Sequence, residues 1–114
     1  MGWRADQVRE VYLIQADNWV AQTETGRVVG LLGLLGSEIG GLFVDPCVQG
    51  KGIGRLLVDH AAHLHGDLTV EVYELNERAR RFYEHMGFVP IGQRIEGDTG
   101  LTLLRLHRDR ATPT

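Results

Sequence analysis

The chain has 114 residues, a formal net charge of -3, and a composition that is 43% hydrophobic and 24% charged, which predicts one globular domain with one core. Basic and acidic residues are interspersed, so neither a nucleic-acid-binding face nor a membrane-binding cationic helix is indicated, and we expect a small partner. The single cysteine, Cys47, cannot form an internal disulfide, and the sequence shows no signal segment or long apolar run, so we expect a cytoplasmic protein.

The N-terminal part of the chain predicts a short helix followed by a three-stranded antiparallel meander. Residues 7–14 carry Val8, Val11 and Tyr12 at a spacing that favours a helix. Residue alternation and turn residues then predict strands over residues 18–23, 28–35 and 38–44. The middle strand is apolar almost throughout, so we expect it to be covered on both faces.

A glycine-rich loop separates the third strand from an amphipathic helix. Pro46 ends the strand, glycines follow at positions 50, 52 and 54, and apolar residues between positions 53 and 64 recur at helical spacing. The amides of such a loop and of the first helical turn form a site for an anion, to which Lys51 and Arg55 add positive charge. The alternative is that the three glycines only make a tight turn between strand and helix.

The residues of this loop match one known phosphate-binding motif and exclude two others. A Walker loop requires Gly-Lys-Ser/Thr and the dinucleotide fingerprint requires G-x-G-x-x-G, and neither matches. The segment Gln49-Gly50-Lys51-Gly52-Ile53-Gly54 fits Q/R-x-x-G-x-G/A instead. It resembles the acyl-CoA pyrophosphate loop of the GNAT superfamily of N-acetyltransferases, and the preceding Leu-Phe-Val-Asp-Pro resembles the way that family enters the loop.

The second half of the chain predicts a strand, a helix and a hairpin. Residues 68–73 alternate as a strand, and the intervening helix lets this strand run parallel to residues 38–44 through a right-handed crossover. Asn76 is the expected N-cap of the second helix and Gly87 its C-terminal glycine. We predict strands over residues 88–95 and 101–107, followed by a loose tail over residues 108–114.

A second motif supports the resemblance. Asn76-x-x-Ala79-x-x-Phe82-Tyr83-Glu84-x-x-Gly87-Phe88 is similar to the second hallmark of the same superfamily, and the resemblance as a whole covers roughly residues 19–106. The resemblance implies an α/β (α+β) fold with a mixed, mostly antiparallel sheet, flanking helices and a central splayed pair of parallel strands. It also implies a single acetyltransferase domain over residues 1–114, in which residues 1–17 are a reduced N-terminal region.

The resemblance implies acetyl-CoA as co-substrate. Backbone groups of Phe43 and Val44 are expected to bond its pantetheine arm, and their side chains to pack in the core. The full set of expected cofactor-binding residues is Phe43, Val44, Gln49, Gly50, Lys51, Gly52, Gly54, Arg55 and Asn76. The three arginines at positions 78, 80 and 81 face solvent or contact the 3′-phosphate. No Cys/His spacing resembles a zinc site, so we expect no metal.

Two residues are the candidates for acid–base chemistry. In the family, the tyrosine at the place of Tyr83 can protonate the departing thiolate, although position 83 also lies on an apolar stripe typical of a core residue. Glu38 resembles the carboxylate base of some members, and the alternative is a solvated turn residue. Glu71 and Glu74 are the reserves for the base.

The resemblance therefore implies an N-acetyltransferase that moves the acetyl group of acetyl-CoA to a primary amine by direct attack. The alternative is an acyl-CoA-binding regulatory module with little or no catalytic activity. Family members usually carry two N-terminal helices that wall the acceptor site, and this sequence has room for one short helix at most. A homodimer is one way to complete that wall.

Overall fold

The computed structural model describes residues 8–15 and 17–110, which form seven strands and two helices. The elements are β1 (Val8–Gln15), β2 (Asn18–Thr23), β3 (Val28–Leu35), β4 (Glu38–Val44), α1 (Ile53–His65), β5 (Leu68–Tyr73), α2 (Glu77–His85), β6 (Val89–Ile95) and β7 (Thr102–Arg108). The strands form one sheet in the order β1-β2-β3-β4-β5-β7-β6. Its pairs are antiparallel except for β4 and β5, which confirms the predicted fold class.

The prediction of a helix over residues 7–14 is wrong. Val8–Gln15 is a strand that pairs with β2, where Val11 lies opposite Ala21 and Leu13 opposite Trp19. Branched and aromatic residues fit a pleated strand, and pairing with β2 overrides the local helical spacing. Residue 7 lies outside the described residues.

The predicted loose tail begins later than position 108. Arg108 is the last residue of β7, and the Arg110 backbone N–H donates a hydrogen bond of 2.6 Å to Asp67 Oδ1. The chain is therefore held against the start of β5 as far as Arg110. The rest of the predicted tail, residues 111–114, lies outside the described residues.

The two parallel strands separate soon after they meet. β4 pairs with β5 only at Glu38 with Thr69 and at Ile39 with Val70. A register shift in the pairing of β3 with β4 makes Gly40 an extra residue, and a bulge of this kind bends a strand. Over residues 40–44 the edge of β4 that faces β5 therefore has no strand partner in the described part of the chain, which confirms the predicted splay.

Both helices pack on the same face of the sheet. α1 buries Ile53, Leu57, Val58 and Ala61, and α2 and the turn after it bury Tyr83, Met86 and Phe88 in the same core. Gly30 allows the close approach of α1 to β3, because a Cβ there would lie 2.8 Å from a Leu57 methyl carbon. Neither of the helices in the described part of the chain is long and apolar enough to cross a membrane.

The opposite face of the sheet, here called the open face, carries Glu38 and Phe43 of β4, Glu71 and Tyr73 of β5, and Arg105 of β7. Neither described helix packs on it. The prediction that β3 is covered on both faces is therefore wrong, since Leu32 and Leu34 are buried under α1 while Leu35 is 75% exposed. A strand with an almost wholly apolar sequence can therefore be buried on one face and exposed on the other.

His60 makes the stability of the fold depend on pH. Its ring packs edge-on against Trp19 with centroids 4.6 Å apart, and no described residue bonds its Nε2. Burial, with a smaller contribution from the charge of His63, holds the pKa of His60 below its ordinary value. As the pH falls below about 6.5, the unfolded chain therefore binds a proton that the folded chain resists, and stability is lost.

We expect the urea midpoint of the wild type to fall between pH 7 and pH 5 more steeply than that of His60→Gln. Equilibrium unfolding followed by circular dichroism at several pH values measures both slopes. His85→Gln, at an exposed histidine of α2, is the matched control and should keep the wild-type slope. Identical slopes for the wild type and His60→Gln contradict the prediction.

Candidate active site

A groove of about 520 Å³ opens between the N-terminus of α1 and one side of α2, beside the end of β4. Eight of the eleven predicted site residues line it: Val44, Gln49, Gly50, Gly52, Gly54, Arg55, Asn76 and Tyr83. Phe43, Lys51 and Glu38 do not. The fold therefore brings both sequence motifs to one surface, although most of α1 and all of β5 lie between them in the chain.

The N-terminus of α1 is left without a cap. Gly52 occupies the cap position with φ +89°, and no side chain of the described residues accepts a hydrogen bond from the first-turn amides. Gly50 has φ +82°, so both loop glycines adopt a conformation that other residues rarely take. In contrast, Asn76 Oδ1 caps α2 by accepting from the Ala79 N–H at 3.1 Å. The first-turn amides of α1 thus lie at the groove without a partner among the described residues, an arrangement that suits an anion.

Positive charge reaches the groove from both helices. Arg55 is mostly exposed, and its Nε lies 3.9 Å from Asp59 Oδ2, a long contact that leaves the guanidinium available. Arg78 lines the opposite wall and has no ion pair or hydrogen bond within the described ranges. Lys51 is exposed, and its backbone N–H donates to the Val48 carbonyl at 3.2 Å, away from the groove lining.

Three hydrogen bonds hold the start of the loop. The Asp45 carboxylate accepts from Arg27 Nη2 and, at 2.9 Å, from the Cys47 N–H. The Arg27 hydrogen bond, followed by that of Cys47, lowers the pKa of Asp45 below its usual value. Gln49 Nε2 donates to the Val44 carbonyl at 3.3 Å. These contacts fix the direction in which the chain leaves β4 and enters the loop.

Arg27→Met should therefore weaken CoA binding severalfold and leave the melting temperature nearly unchanged, because an exposed ion pair adds little to global stability. Calorimetric titration with CoA and differential scanning fluorimetry measure the two quantities. Arg94→Met is the control, because it removes an equally exposed arginine whose partner, Glu71, lies on the open face. An equal loss of affinity in both variants contradicts a specific effect on the loop.

Tyr83 belongs to both the core and the groove. Its side chain is 6% exposed, and its ring packs edge-on against Phe82 and Phe88 with centroid distances of 5.0 and 5.2 Å. It also lines the groove, so burial in the core does not exclude the role considered for its hydroxyl group. Burial raises the pKa of Tyr83 to about 12. The phenol is thus protonated at neutral pH and can donate a hydrogen bond or a proton into the groove.

Glu38 lies at the closed end of the splay, on the open face, and is not brought next to Tyr83. Its Oε1 accepts a hydrogen bond of 3.1 Å from Arg105 Nη1. Glu71 accepts two hydrogen bonds from Arg94, at 2.8 and 2.9 Å, which hold the pKa of its carboxyl below the usual range. The two candidate acid–base groups, Tyr83 and Glu38, are therefore on opposite faces of the sheet.

The side chain of Phe43 does not pack in the core, contrary to the prediction. It is 67% exposed on the open face, whereas Val44 packs against the core as predicted. The extra residue at the Gly40 bulge shifts the alternation of side chains between the two faces of β4. As a result, the side chain of Phe43 points to the open face, away from the helices. The backbone of Phe43 remains on the unpaired edge of β4.

One wall of the groove was not predicted from the sequence. Phe82 and His85 line it together with Arg78, at positions i, i+4 and i+7 of α2. This spacing is the signal that could have found them. Gly54 permits the approach of α1 to this wall, since a Cβ there would lie 3.3 Å from the Phe82 ring.

A separate group of three metal-type ligands, Asp67, His107 and Asp109, lies away from the groove lining in the described part of the chain. Its members are already engaged: Asp67 accepts from the Arg110 N–H, and His107 Nδ1 lies 3.3 Å from Asp109 Oδ1. The group is accounted for by the contacts that hold the end of β7.

Comparisons with known proteins agree with this geometry. A family model described as an acetyltransferase (GNAT) domain matches residues 15–90. The peptidyl-lysine N-acetyltransferase YjaB of Salmonella typhimurium is 43% identical over 89 residues, covering 78% of this chain and 61% of that protein. YjaB of Escherichia coli is 42% identical over 95 residues, covering 83% and 64%. The chain thus spans less than two thirds of the length of either relative.

Solved structures show the same fold. The solution structure of apo YjaB from Escherichia coli has a TM-score of 0.73 and 38% identity, covering 87% of this chain and 67% of that one. A putative streptothricin acetyltransferase from Bacillus anthracis, in complex with acetyl coenzyme A, has a TM-score of 0.75. Its identity is 18%, with 86% of this chain and 65% of that one covered, so this second likeness concerns the fold alone.

Proposed function

Since this chain belongs to the GNAT acetyltransferase family, we propose that it transfers the acetyl group of acetyl-CoA to a primary amine. The observation that carries the proposal is the groove in which the uncapped N-terminus of α1 and the buried, protonated Tyr83 lie at one surface. Three relatives bear the name peptidyl-lysine N-acetyltransferase, which supports a lysine side chain as the first acceptor to test.

The groove fits the parts of acetyl-CoA. The amides around Gly50 and Gly52, with Arg55 beside them, suit the pyrophosphate. The unpaired edge of β4 at Phe43 and Val44 offers backbone groups to the pantetheine amides. Acetyl-CoA, when bound, supplies an activated acetyl group as a thioester.

The residues of the chain then have separate tasks. The β4 edge orients the acyl group, and Tyr83 donates a proton to the sulfur as the thiolate departs. A lysine amine with a pKa near 10.4 must first lose a proton, which costs about 4.6 kcal/mol at pH 7. Glu38 is the proposed acceptor of that proton, directly or through water, and Glu71 and Glu74 remain the alternatives.

The domain organisation, the cellular compartment and the oligomeric state are also proposals. The described residues share one principal core, which supports one acetyltransferase domain over residues 1–114. Cys47 is an exposed free thiol, which fits a reducing compartment such as the cytoplasm. A homodimer could cover exposed apolar residues such as Leu35, and light scattering at high micromolar concentration measures the oligomeric state.

Titration calorimetry with acetyl-CoA, followed by a thiol-release assay with a lysine-containing peptide, tests the proposal. We expect saturable micromolar binding and release of CoA that depends on the peptide. Tight binding without turnover on any amine favours the alternative, a regulatory acyl-CoA-binding module. If acetyl-CoA does not bind at all, both functions are excluded for this chain by itself.

A further inference from the structure

Lys51 is the only lysine among the 114 residues, since the other eleven members of the lysine and arginine class are arginines. A guanidinium group stays protonated at neutral pH and therefore does not attack a thioester. A lysine side chain instead ends in a primary amine, which can lose its proton and become a nucleophile. Lys51 is thus the only side chain of this sequence that belongs to the acceptor class of the proposed reaction.

The side chain of Lys51 is accessible from solvent. Lys51 lies in the loop between β4 and α1, in which residues 49–52 are all exposed. Its neighbours, Gly50 and Gly52, carry no side chain that could shield the amine, and a Cβ at Gly50 would meet nothing within 4 Å. Lys51 has no ion pair or side-chain hydrogen bond with any of the described residues. The amine is therefore free to enter the active site of another molecule.

Lys51 lies at the pyrophosphate end of the proposed cofactor site. Gly50 and Gly52 line the groove beside the N-terminus of α1, whereas Tyr83, the proposed proton donor to the sulfur, lines it from α2. In acetyl-CoA the whole pantetheine arm separates the pyrophosphate from the sulfur, and that arm is longer than a lysine side chain. Lys51 therefore cannot reach a thioester bound to its own chain, but it can reach one held by a second copy.

The charge of Lys51 also bears on the binding of the cofactor. Lys51 and Arg55 are the two cations of the loop and of the first turn of α1, beside the uncapped amides. Arg78 adds a third positive charge from the opposite wall of the groove. Acetylation converts the ammonium group of a lysine into a neutral amide. At Lys51 it would remove one of three positive charges and weaken the attraction of this end of the groove for a pyrophosphate.

We propose that Lys51 is a modification site, which a second copy of this chain acetylates, and that the modification lowers the affinity of the modified copy for CoA and acetyl-CoA. The inference rests on the proposed acetyl transfer and adds a feedback to it. In this step the neutral Lys51 amine forms a bond to the acetyl carbon, and the bond between that carbon and the sulfur breaks. The amine proton leaves to a base and a proton is added to the thiolate, so that CoA is released.

Mass spectrometry of a mixture of two copies tests the modification. The target is isotope-labelled Tyr83→Phe, the catalyst is the unlabelled wild type, and both are incubated with acetyl-CoA. Trypsin does not cleave after acetyl-lysine, so acetylation converts the labelled peptide 28–51 into the peptide 28–55. We expect this conversion to be about tenfold faster with the wild type than with the labelled target alone, because Tyr83→Phe lacks the proposed proton donor. Equal rates indicate chemical acetylation and overturn the proposal.

A lysine-containing peptide in a parallel reaction separates this proposal from the proposed function. If the wild type acetylates the peptide and leaves Lys51 of the labelled target unmodified, the modification site is overturned and the proposed function is retained. If the peptide is not acetylated, Lys51 still decides the inference. Acetylation of the labelled target that depends on the wild type supports the modification site, and its absence overturns it.

Calorimetric titration with CoA tests the feedback. At low salt the acetylated wild type should bind CoA about threefold more weakly than the unmodified wild type, because one nearby positive charge is lost, and added salt should narrow the difference. Lys51→Arg is the matched control, since it keeps the charge and offers no primary amine at this position. Its affinity should be the same before and after incubation with acetyl-CoA. Equal affinities of the acetylated and unmodified wild type, or an equal loss in Lys51→Arg after incubation, overturn the feedback.

Discussion

Tyr83→Phe is expected to lower kcat by about 100-fold, the lower end of the range for loss of a positioned proton donor. The substitution keeps the ring and its contacts with Phe82 and Phe88 and removes only the hydroxyl group. The KM for acetyl-CoA should therefore change little, as should the melting temperature. Steady-state kinetics with a lysine peptide, together with differential scanning fluorimetry, measure these quantities.

Tyr73→Phe is the matched control for this loss. Tyr73 is a second tyrosine whose hydroxyl bonds Glu96, on the open face, and does not line the groove. Its substitution should leave kcat near the wild-type value. Equal kcat values for Tyr83→Phe and the wild type would show that the leaving thiolate takes its proton from water.

The pKa of Tyr83 adds a pH signature. Because burial raises this pKa to about 12, the phenol stays protonated throughout the range in which an amine acceptor becomes neutral. The wild-type rate should therefore keep rising through pH 9 as more of the acceptor loses its proton, with no decline caused by Tyr83. Tyr83→Phe should show the same rise at a lower level.

The stretch from β4 through α1 was predictable because its signals are local. Pro46 ends the strand, and apolar residues from Ile53 onward repeat at helical spacing without help from the rest of the chain. β1 was not predictable in this way, because Val8, Val11 and Tyr12 fall at helical spacing, and a segment of eight residues is too short for spacing alone to distinguish a helix from a strand. Pairing with β2 decides between a helix and a strand, and the residues of β1 alone do not indicate that pairing.

The candidate site likewise has one part that the sequence predicts and another part that depends on tertiary packing. The glycine loop and Tyr83 belong to motifs with fixed spacing, and the structure brings them to one groove. The wall formed by Phe82 and His85 depends on which side of α2 turns toward α1, a matter of tertiary packing. The exposure of Phe43 depends on the bulge at Gly40, because one extra residue in a strand moves every later side chain to the other face.

Gly50→Glu should weaken CoA binding by about 100-fold. Gly50 lines the groove beside the uncapped end of α1, so the new carboxylate lies next to the place proposed for the pyrophosphate. One pair of like charges about 6 Å apart repels by roughly 2.8 kcal/mol at an effective dielectric constant of about 20, which corresponds to about two powers of ten. Calorimetric titration with CoA measures the change directly.

Gly36→Glu is the control that separates this charge effect from the strain of placing a side chain at a backbone position with positive φ. Gly36 has φ +65° and Gly50 has φ +82°, and a Cβ at either position meets nothing within 4 Å, so both variants bear similar strain and the same added charge. Gly36 lies in the turn between β3 and β4, outside the groove, and its variant should bind CoA like the wild type. Raising the salt concentration should narrow the difference between the two variants, because mobile ions screen the added carboxylate. Equal affinities of the two variants at low salt place the pyrophosphate elsewhere, and then the three glycines serve only to turn the chain from β4 into α1.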